Sequence, residues 1–234
     1  MFGIGKKKVS LIESDIFAGF TDWHSHILPG VDDGINTMAQ ALAVLEEYER
    51  LGFKKVWLTP HIMEDYPNPT EFLKQRFEAL KSLWKGNMEI ALAAENMLDN
   101  IFDERLENND MLPIGDDRDH LLVETSYYTP PFAMDEMLES ARKKGYNIIL
   151  AHPERYRYMD LKDYERLKEK GIKFQINILS LGGGYGEQAQ KKAEWLVNNK
   201  FFDFLGSDIH SLESFLPRIS DKNFNKNIIN LLKN

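Results

Sequence analysis

This chain of 234 residues contains no cysteine. Disulfide bridges, thiolate zinc sites and cysteine nucleophiles are therefore excluded. Long apolar runs are missing too. No stretch approaches the roughly 18 apolar residues of a membrane helix. Lys6, Lys7 and Lys8 are not followed by the apolar core of about 7–15 residues that marks a secretory leader. Positive charge is in deficit, with 29 Lys and Arg against 37 Asp and Glu and a formal net charge of -8. There is no basic stripe to track a phosphodiester backbone, so nucleic acid is not an expected partner. Low-complexity linkers and tandem repeats are also absent. A soluble, cytoplasmic protein without a membrane span is the expectation.

What is present suits one globular unit. The chain is 43% hydrophobic and carries fourteen Phe and four Trp, enough for the core of a single domain of about 100–250 residues. Residues 1–19 read as an N-terminal extension and 20–234 as one domain. Short apolar runs suited to buried strands fall at 20–23, 55–59, 88–94, 121–124, 147–151, 173–176 and 202–205. Helical patterns lie between them. Asn36 or Thr37 can cap a helix whose apolar face is Met38, Ala41, Leu42, Leu45 and Tyr48, and Gly52 stops it. Another helix places Met134, Met137, Leu138 and Ala141 inward and stops at Gly145. Further helices are expected over 70–84, 161–170 and 187–199. Strands that alternate with helices pair in parallel with right-handed crossovers, and a closed barrel accommodates seven of them in one domain. The glycines of SLGGGYG (180–186) lack the following Gly-Lys-Ser/Thr of a phosphate-binding loop. They read as a flexible loop, with a lid as the alternative.

Position makes the histidines informative. His24 and His26 follow the first expected strand, His61 ends the second, Glu95 the third, Glu124 the fourth and His152 the fifth, while Asp208 and His210 follow the seventh. In a β/α barrel the C-terminal ends of all strands open on one face, where active sites are built. Five of the six histidines would share that rim; His120 precedes its strand and reads as structural. A lone histidine has many ordinary roles. A histidine pair two residues apart on extended backbone sends both rings the same way, however, and so many ionisable groups would repel or be desolvated without a cation among them. Imidazole and carboxylate without sulfur suit Mn²⁺, Fe²⁺ or Zn²⁺. The donors outnumber one coordination sphere, so two or three ions are expected, with Glu95 as a bridge. Three divalent ions would bring -8 to about -2, so part of the acidity is metal-site acidity.

The motifs DWHSHILPGVDDG (22–34), TPH (59–61), AAE (93–95), HPERY (152–156) and SDIH (207–210) resemble the polymerase-and-histidinol-phosphatase superfamily. Within it the chain is similar to the bacterial manganese-dependent protein tyrosine phosphatases of capsule and exopolysaccharide gene clusters, over about residues 20–215. The resemblance implies a distorted (β/α)7 barrel with a three-metal centre at the C-terminal ends of the strands. It assigns His24, His26, Glu95 and Asp208 to one ion, Glu95, Glu124 and His152 to a second, and Asp33, His61 and His210 to a third. Asp22 and Asp32 would orient histidines, although adjacent Asp32 and Asp33 can exchange roles. Arg155 is the candidate phosphate ligand, because a guanidinium offers two parallel bonds to phosphoryl oxygens; a rim salt bridge is its alternative. Relatives often carry further arginines after the TPH histidine and after SD-x-H. Here Ile62-Met63-Glu64-Asp65 and residues 211–215 stand there, and Arg218 is the nearest substitute.

The activity implied is hydrolysis of phosphotyrosine on a protein, a bacterial tyrosine kinase that regulates capsular or exopolysaccharide biosynthesis. A metal-bridging hydroxide would attack phosphorus without a covalent protein intermediate, with Arg155, Asp208 and His210 as the catalytic set. A small-molecule phosphatase for histidinol phosphate or a sugar phosphate is the alternative enzyme. A non-catalytic, metal-stabilised docking domain is the alternative of another class. A homo-oligomer is allowed, since nothing in the chain sets the number of copies.

Overall fold

Helix and strand alternate along the chain because apolar runs of four or five residues are separated by capped, amphipathic segments. The computed structural model describes residues 7–233. Its first strands are β1 (Lys8–Val9), β2 (Thr21–Asp22), β3 (Lys55–Leu58), β4 (His61–Ile62), β5 (Glu89–Leu92) and β6 (Glu95–Met97). β7 (His120–Glu124), β8 (Asn147–Ala151), β9 (Lys173–Asn177), β10 (Phe204–Gly206) and β11 (Phe224–Asn225) follow. The helices are α1 (Met38–Leu51), α2 (Thr70–Leu83), α3 (Phe102–Glu107), α4 (Met134–Lys143), α5 (Leu161–Glu169), α6 (Glu187–Asn198), α7 (Leu212–Ser220) and α8 (Lys226–Leu232).

α1 begins where expected. Thr37 and Gln40 exchange side-chain and backbone bonds in a capping box, and Gly52 ends the helix in the left-handed region at φ 100°, a conformation a Cβ would strain. α3, α7 and α8 are additions to the sequence reading. α3 is six residues long, and α7 contains Pro217, which reads as a breaker in sequence.

Six strands pair in the order β10-β9-β8-β7-β6-β4 and three in the order β2-β3-β5, all in parallel. Two expected strands are each broken in two. Thr59 and Pro60 separate β3 from β4, and Ala93 and Ala94 separate β5 from β6. The breaks are backbone-bonded: Thr59 N–H donates to Ser25 O at 2.8 Å, Ala93 N–H to Leu58 O at 2.9 Å and Glu95 N–H to Pro60 O at 3.1 Å. Beyond β2 the chain is bonded to the segment after β10. Trp23 N–H donates to Leu205 O, Asp208 N–H to His24 O at 2.8 Å, and His26 N–H to Ile209 O at 3.0 Å. The result is an α/β fold with a curled parallel sheet.

Alternation divides the core. Trp57, Ala91, Ala93, Ile114, Leu122, Ile149 and Ala151 pack together on the concave side with Trp23 and Phe204 beside them. The intervening residues Val56, Leu58, Leu121, Val123, Ile148 and Leu150 point outward to the helices. Residues 8–17 also pack: β1 pairs antiparallel with β11, Leu11 N–H donates to Ile219 O, and Leu11 and Phe17 are buried. Of the three N-terminal lysines, Lys7 and Lys8 are exposed and Lys6 lies outside the described residues. Among the described residues no helix is long and apolar enough to cross a membrane.

The glycine-rich segment is the expected loop only in part, since residues 183–186 form a turn leading into α6 while the residues before them are more ordered. Ile178–Gly182 forms a buried 3₁₀ turn, and a Cβ at Gly182 would lie 2.6 Å from the Phe224 ring. Close approach is what that glycine supplies.

Candidate metal centre

β2 delivers His24 and His26 side by side. Both rings are fully buried, and their Nε2 atoms face each other at 3.1 Å. One carboxylate oxygen, Glu95 Oε2, stands 3.0 Å from His24 Nε2, 3.4 Å from His26 Nε2 and 3.1 Å from His61 Nδ1. Its other oxygen, Oε1, lies 3.1 Å from His152 Nε2. Glu124, at the end of β7, places Oε1 2.9 Å from His61 Nδ1 and Oε2 3.9 Å from His152 Nε2. Asp208 Oδ1 lies 3.6 Å from His24 Nε2, 3.3 Å from His26 Nε2 and 3.6 Å from His210 Nδ1. Asp33 Oδ1 completes the outer edge, 3.6 Å from His61 Nε2 and 3.4 Å from His210 Nε2. Each of the nine residues named as metal candidates therefore belongs to one contiguous cluster. His26, Asp33, His61 and His210 form its outer group; His24 with Glu95 and His152, His24 with His26 and Asp208, and His61 with Glu95 and Glu124 form the inner ones.

The surroundings aim the donors. Asp32 Oδ2 accepts from His26 Nδ1 at 2.8 Å and from the His61 backbone N–H at 3.0 Å, while its Oδ1 accepts from Gly34 N–H. With both oxygens spent, Asp32 is the orienting acid and Asp33 is the one that faces the cluster. The expectation for Asp22 needs revision. Its Oδ1 accepts from the backbone N–H groups of His24 and Ser207, and the group that bonds the His24 ring is Gln175 Oε1, 2.8 Å from Nδ1. Gln175 sits mid-strand in an apolar run, and no local pattern marks it in the sequence. Two of the cluster's residues, His152 and Asp208, adopt φ of 32° and 53°, in the left-handed region that non-glycine residues rarely enter.

Ionisation follows from crowding. Burial pulls the His24 imidazole down, yet the charges of Glu95 and Asp208 overcome it and push it up to about 9. His26 is likewise held well above its ordinary value against burial, by Asp32 first. Burial would raise the carboxyls of Glu95 and Asp208, but the neighbouring histidines hold both well below the usual carboxylate range. Asp33 falls to about 2 through its bond to His210. His152 alone among the buried rings is lowered, by burial and by the charge of Arg155.

A cation fits this donor set better than protons do. Glu95 Oε2, Glu124 Oε1 and His61 Nδ1 are buried and meet no hydrogen-bond partner of acceptable geometry, which costs about 1–3 kcal/mol for each such group. Their separations have another meaning. Metal bonds of about 2.0–2.2 Å to nitrogen and oxygen leave adjacent ligand atoms about 3 Å apart or slightly more. The distances of 2.9–3.6 Å around Glu95, His61 and Asp208 have that spacing. His120 takes no part: at the start of β7 it lies 2.6 Å from Asp119 Oδ1 and 2.8 Å from Lys173 Nζ.

Arg155 lies at the cluster's edge, half-buried, with Nη1 donating to Asp208 Oδ2. That oxygen also accepts from Asn177 Nδ2 at 2.9 Å and lies 3.4 Å from the Tyr185 hydroxyl. Asn177, Tyr127 and Tyr185 were not among the candidates, because ordinary polar and aromatic residues carry no spacing signal. Arg218 is exposed on α7, near enough for its charge to oppose the rise of the Tyr185 hydroxyl.

Fold and site together define a parallel α/β protein with a His/Asp/Glu cluster able to hold metal. The chain belongs to the capsular polysaccharide synthesis CpsB/CapC family, which matches residues 20–227. It is 27% identical over 201 residues to the tyrosine-protein phosphatase YwqE of Bacillus subtilis, covering 82% of this chain and 78% of the relative. Tyrosine-protein phosphatase CpsB of Streptococcus pneumoniae is 28% identical over 209 residues, covering 84% of this chain and 85% of the relative. Crystal structures of YwqE and CpsB, described as unique metal-dependent tyrosine phosphatases, include a chain that matches this fold with a TM-score of 0.74. That match has 24% identity and covers 92% of this chain and 86% of the other.

Proposed function

We propose that this protein is a metal-dependent protein-tyrosine phosphatase. The observation that carries the reading is the set of inward-facing donor atoms around Glu95, unbonded and at ligand spacing, with one arginine at its edge. Family membership supports it, since the relatives named above are tyrosine-protein phosphatases. In this reading the curled sheet is a distorted (β/α)7 barrel, residues 20–234 are its domain, and the cluster occupies the C-terminal ends of its strands. His24, His26, Glu95 and Asp208 hold one ion, Glu95, Glu124 and His152 a second, and Asp33, His61 and His210 a third. Manganese is the proposed metal. The nitrogen and oxygen donors also suit iron or zinc.

Divalent ions, when bound, supply a nucleophilic hydroxide near neutral pH and neutralise phosphoryl charge. The chain's own residues do the remainder. Asp32 and Gln175 fix the tautomer and tilt of the rings of His26 and His24. Arg155 binds phosphoryl oxygens and stabilises the charge that builds on them. A tyrosine leaving group, with a pKa near ~10, departs without a strong acid beside it, which fits a site where no buried side chain is required as a proton donor to it. A tyrosine kinase that governs capsule or exopolysaccharide synthesis in the cytoplasm is the proposed physiological substrate.

Purified protein should carry manganese by elemental analysis and hydrolyse a phosphotyrosine peptide with higher kcat/KM than histidinol phosphate. Preference for histidinol phosphate would replace the reading by a small-molecule phosphatase. Tightly held metal with no phosphomonoester turnover would replace it by a docking domain.

A further inference from the structure

We infer that Tyr127 and Tyr185 are positioning residues that hold the Arg155 guanidinium as a preset fork for a phosphate group, a reading that rests on the phosphatase function proposed above. The two rings come from separate loops, Tyr127 after β7 and Tyr185 after the buried 3₁₀ turn that follows β9. Arg155 Cζ stands 4.1 Å from the Tyr185 ring centroid and 4.6 Å from that of Tyr127. One edge of the guanidinium is tied to Asp208 Oδ2 through Nη1. Among the described residues no partner takes Nε or Nη2, so part of the five-donor fork is left for a ligand.

This arrangement removes freedom that a long side chain would otherwise lose on binding an anion. A guanidinium is planar and weakly hydrated, and it stacks on aromatic faces where an ammonium would not be held flat. The Tyr185 side is itself fixed. Its hydroxyl accepts from Asn177 Nδ2 at 3.0 Å and lies 3.4 Å from Asp208 Oδ2, and its backbone lies between Gly183 and Gly186 at φ of 84° and 92°. Tyr127 is set by the loop's contact with the following turn, through its carbonyl, which accepts from Arg157 N–H at 2.8 Å. Without the rings, Arg155 would be free to fold further onto the Asp208 carboxylate and close its fork.

The test measures inorganic phosphate binding calorimetrically on manganese-loaded protein, with metal content and steady-state turnover of p-nitrophenyl phosphate alongside. Tyr185→Leu and Tyr127→Leu should each weaken phosphate binding about 10-fold, the size expected for losing one partly desolvated cation–π contact. KM should rise in step while kcat changes less and bound manganese is retained. Tyr127→Phe, which keeps the ring, should bind phosphate as wild type does, and Tyr185→Phe should fall between wild type and leucine. Wild-type affinity in both leucine variants overturns the inference. So does a Tyr127→Phe defect as large as that of leucine, or loss of manganese in the leucine variants, since the rings would then serve the cluster and not the fork. Failure of wild-type protein to bind phosphate while it turns over p-nitrophenyl phosphate sinks the inference and spares the phosphatase reading. Phosphate binding that follows the expected series without turnover of any phosphomonoester does the reverse.

Discussion

The two ends of the curled sheet are built from the same strands and have opposite chemistry. β7 begins at His120 and ends at Glu124. The His120 ring is satisfied by Asp119 and Lys173 near the surface, and beside it Trp23, Trp57, Ile114 and Phe204 form an apolar packing. Four residues on, Glu124 enters a cluster of buried charge in which several atoms find no bonding partner. An end filled by packing stabilises the fold without a ligand. The other end concentrates desolvated ionisable groups, several without a hydrogen-bond partner, and in the proposed reading its residues are arranged to hold metal ions. In that reading, stability and chemistry are separated along the strand direction, as in β/α barrels.

That contrast can be broken experimentally, and the largest effect lies at the polar end. His24→Ala and Asp208→Ala should each lower phosphotyrosine-peptide turnover by about 10³-fold or more, since losing a ligand removes several kcal/mol of charge stabilisation. Circular dichroism should show both variants folded; near-normal turnover in both would refute the metal assignment. At the apolar end, Trp57→Ala should destabilise the protein by about 3–5 kcal/mol through the cavity it leaves. Chemical denaturation measures that loss, and manganese binding per folded molecule should be unchanged. A Trp57 variant of normal stability that loses its metal would show that the two ends are not separable.

A pH experiment addresses the same contrast. The folded-state pKa of His24 is raised to about 9 from 6.5, so its contribution in metal-free protein is fully present below about pH 6.5 and is lost as pH rises through about 9. The buried ring's shift corresponds to an effect of order 3 kcal/mol. Metal-free protein should therefore melt at a lower temperature at pH 9.5 than at pH 6.5, and manganese should remove most of the difference. Equal melting temperatures without metal would mean that protons do not hold the cluster together. The smallest effect expected is that of Gln175→Leu, which leaves every candidate ligand in place. Loss of the bond that orients the His24 ring should weaken manganese affinity about 10–100-fold, read by competition with a chelator.

Much of this organisation was legible without coordinates. Short apolar runs located the strands and period-3.6 patterns the longer helices, because strands covered on both faces are apolar throughout and helices bury one face. The positions of His24, His26, His61, Glu95, Glu124, His152, Asp208 and His210 just past apolar runs anticipated their convergence, since a parallel arrangement brings strand ends together. Short helices with few apolar positions, such as α3, left no comparable trace, and Pro217 hid α7.

Other features depend on contacts between residues far apart in the chain. Gln175 meets His24 across 151 positions, and nothing near either residue announces the pairing. Asp32 and Asp33 are equivalent as letters; only the folded loop points one at His26 and the backbone and the other at His61 and His210. Local pattern settled which residue types would be buried and where strands would end, because side-chain direction repeats with the backbone. Which atoms meet, which acid faces which ring and which arginine edge stays open were settled by packing, because those depend on distances that no single segment contains.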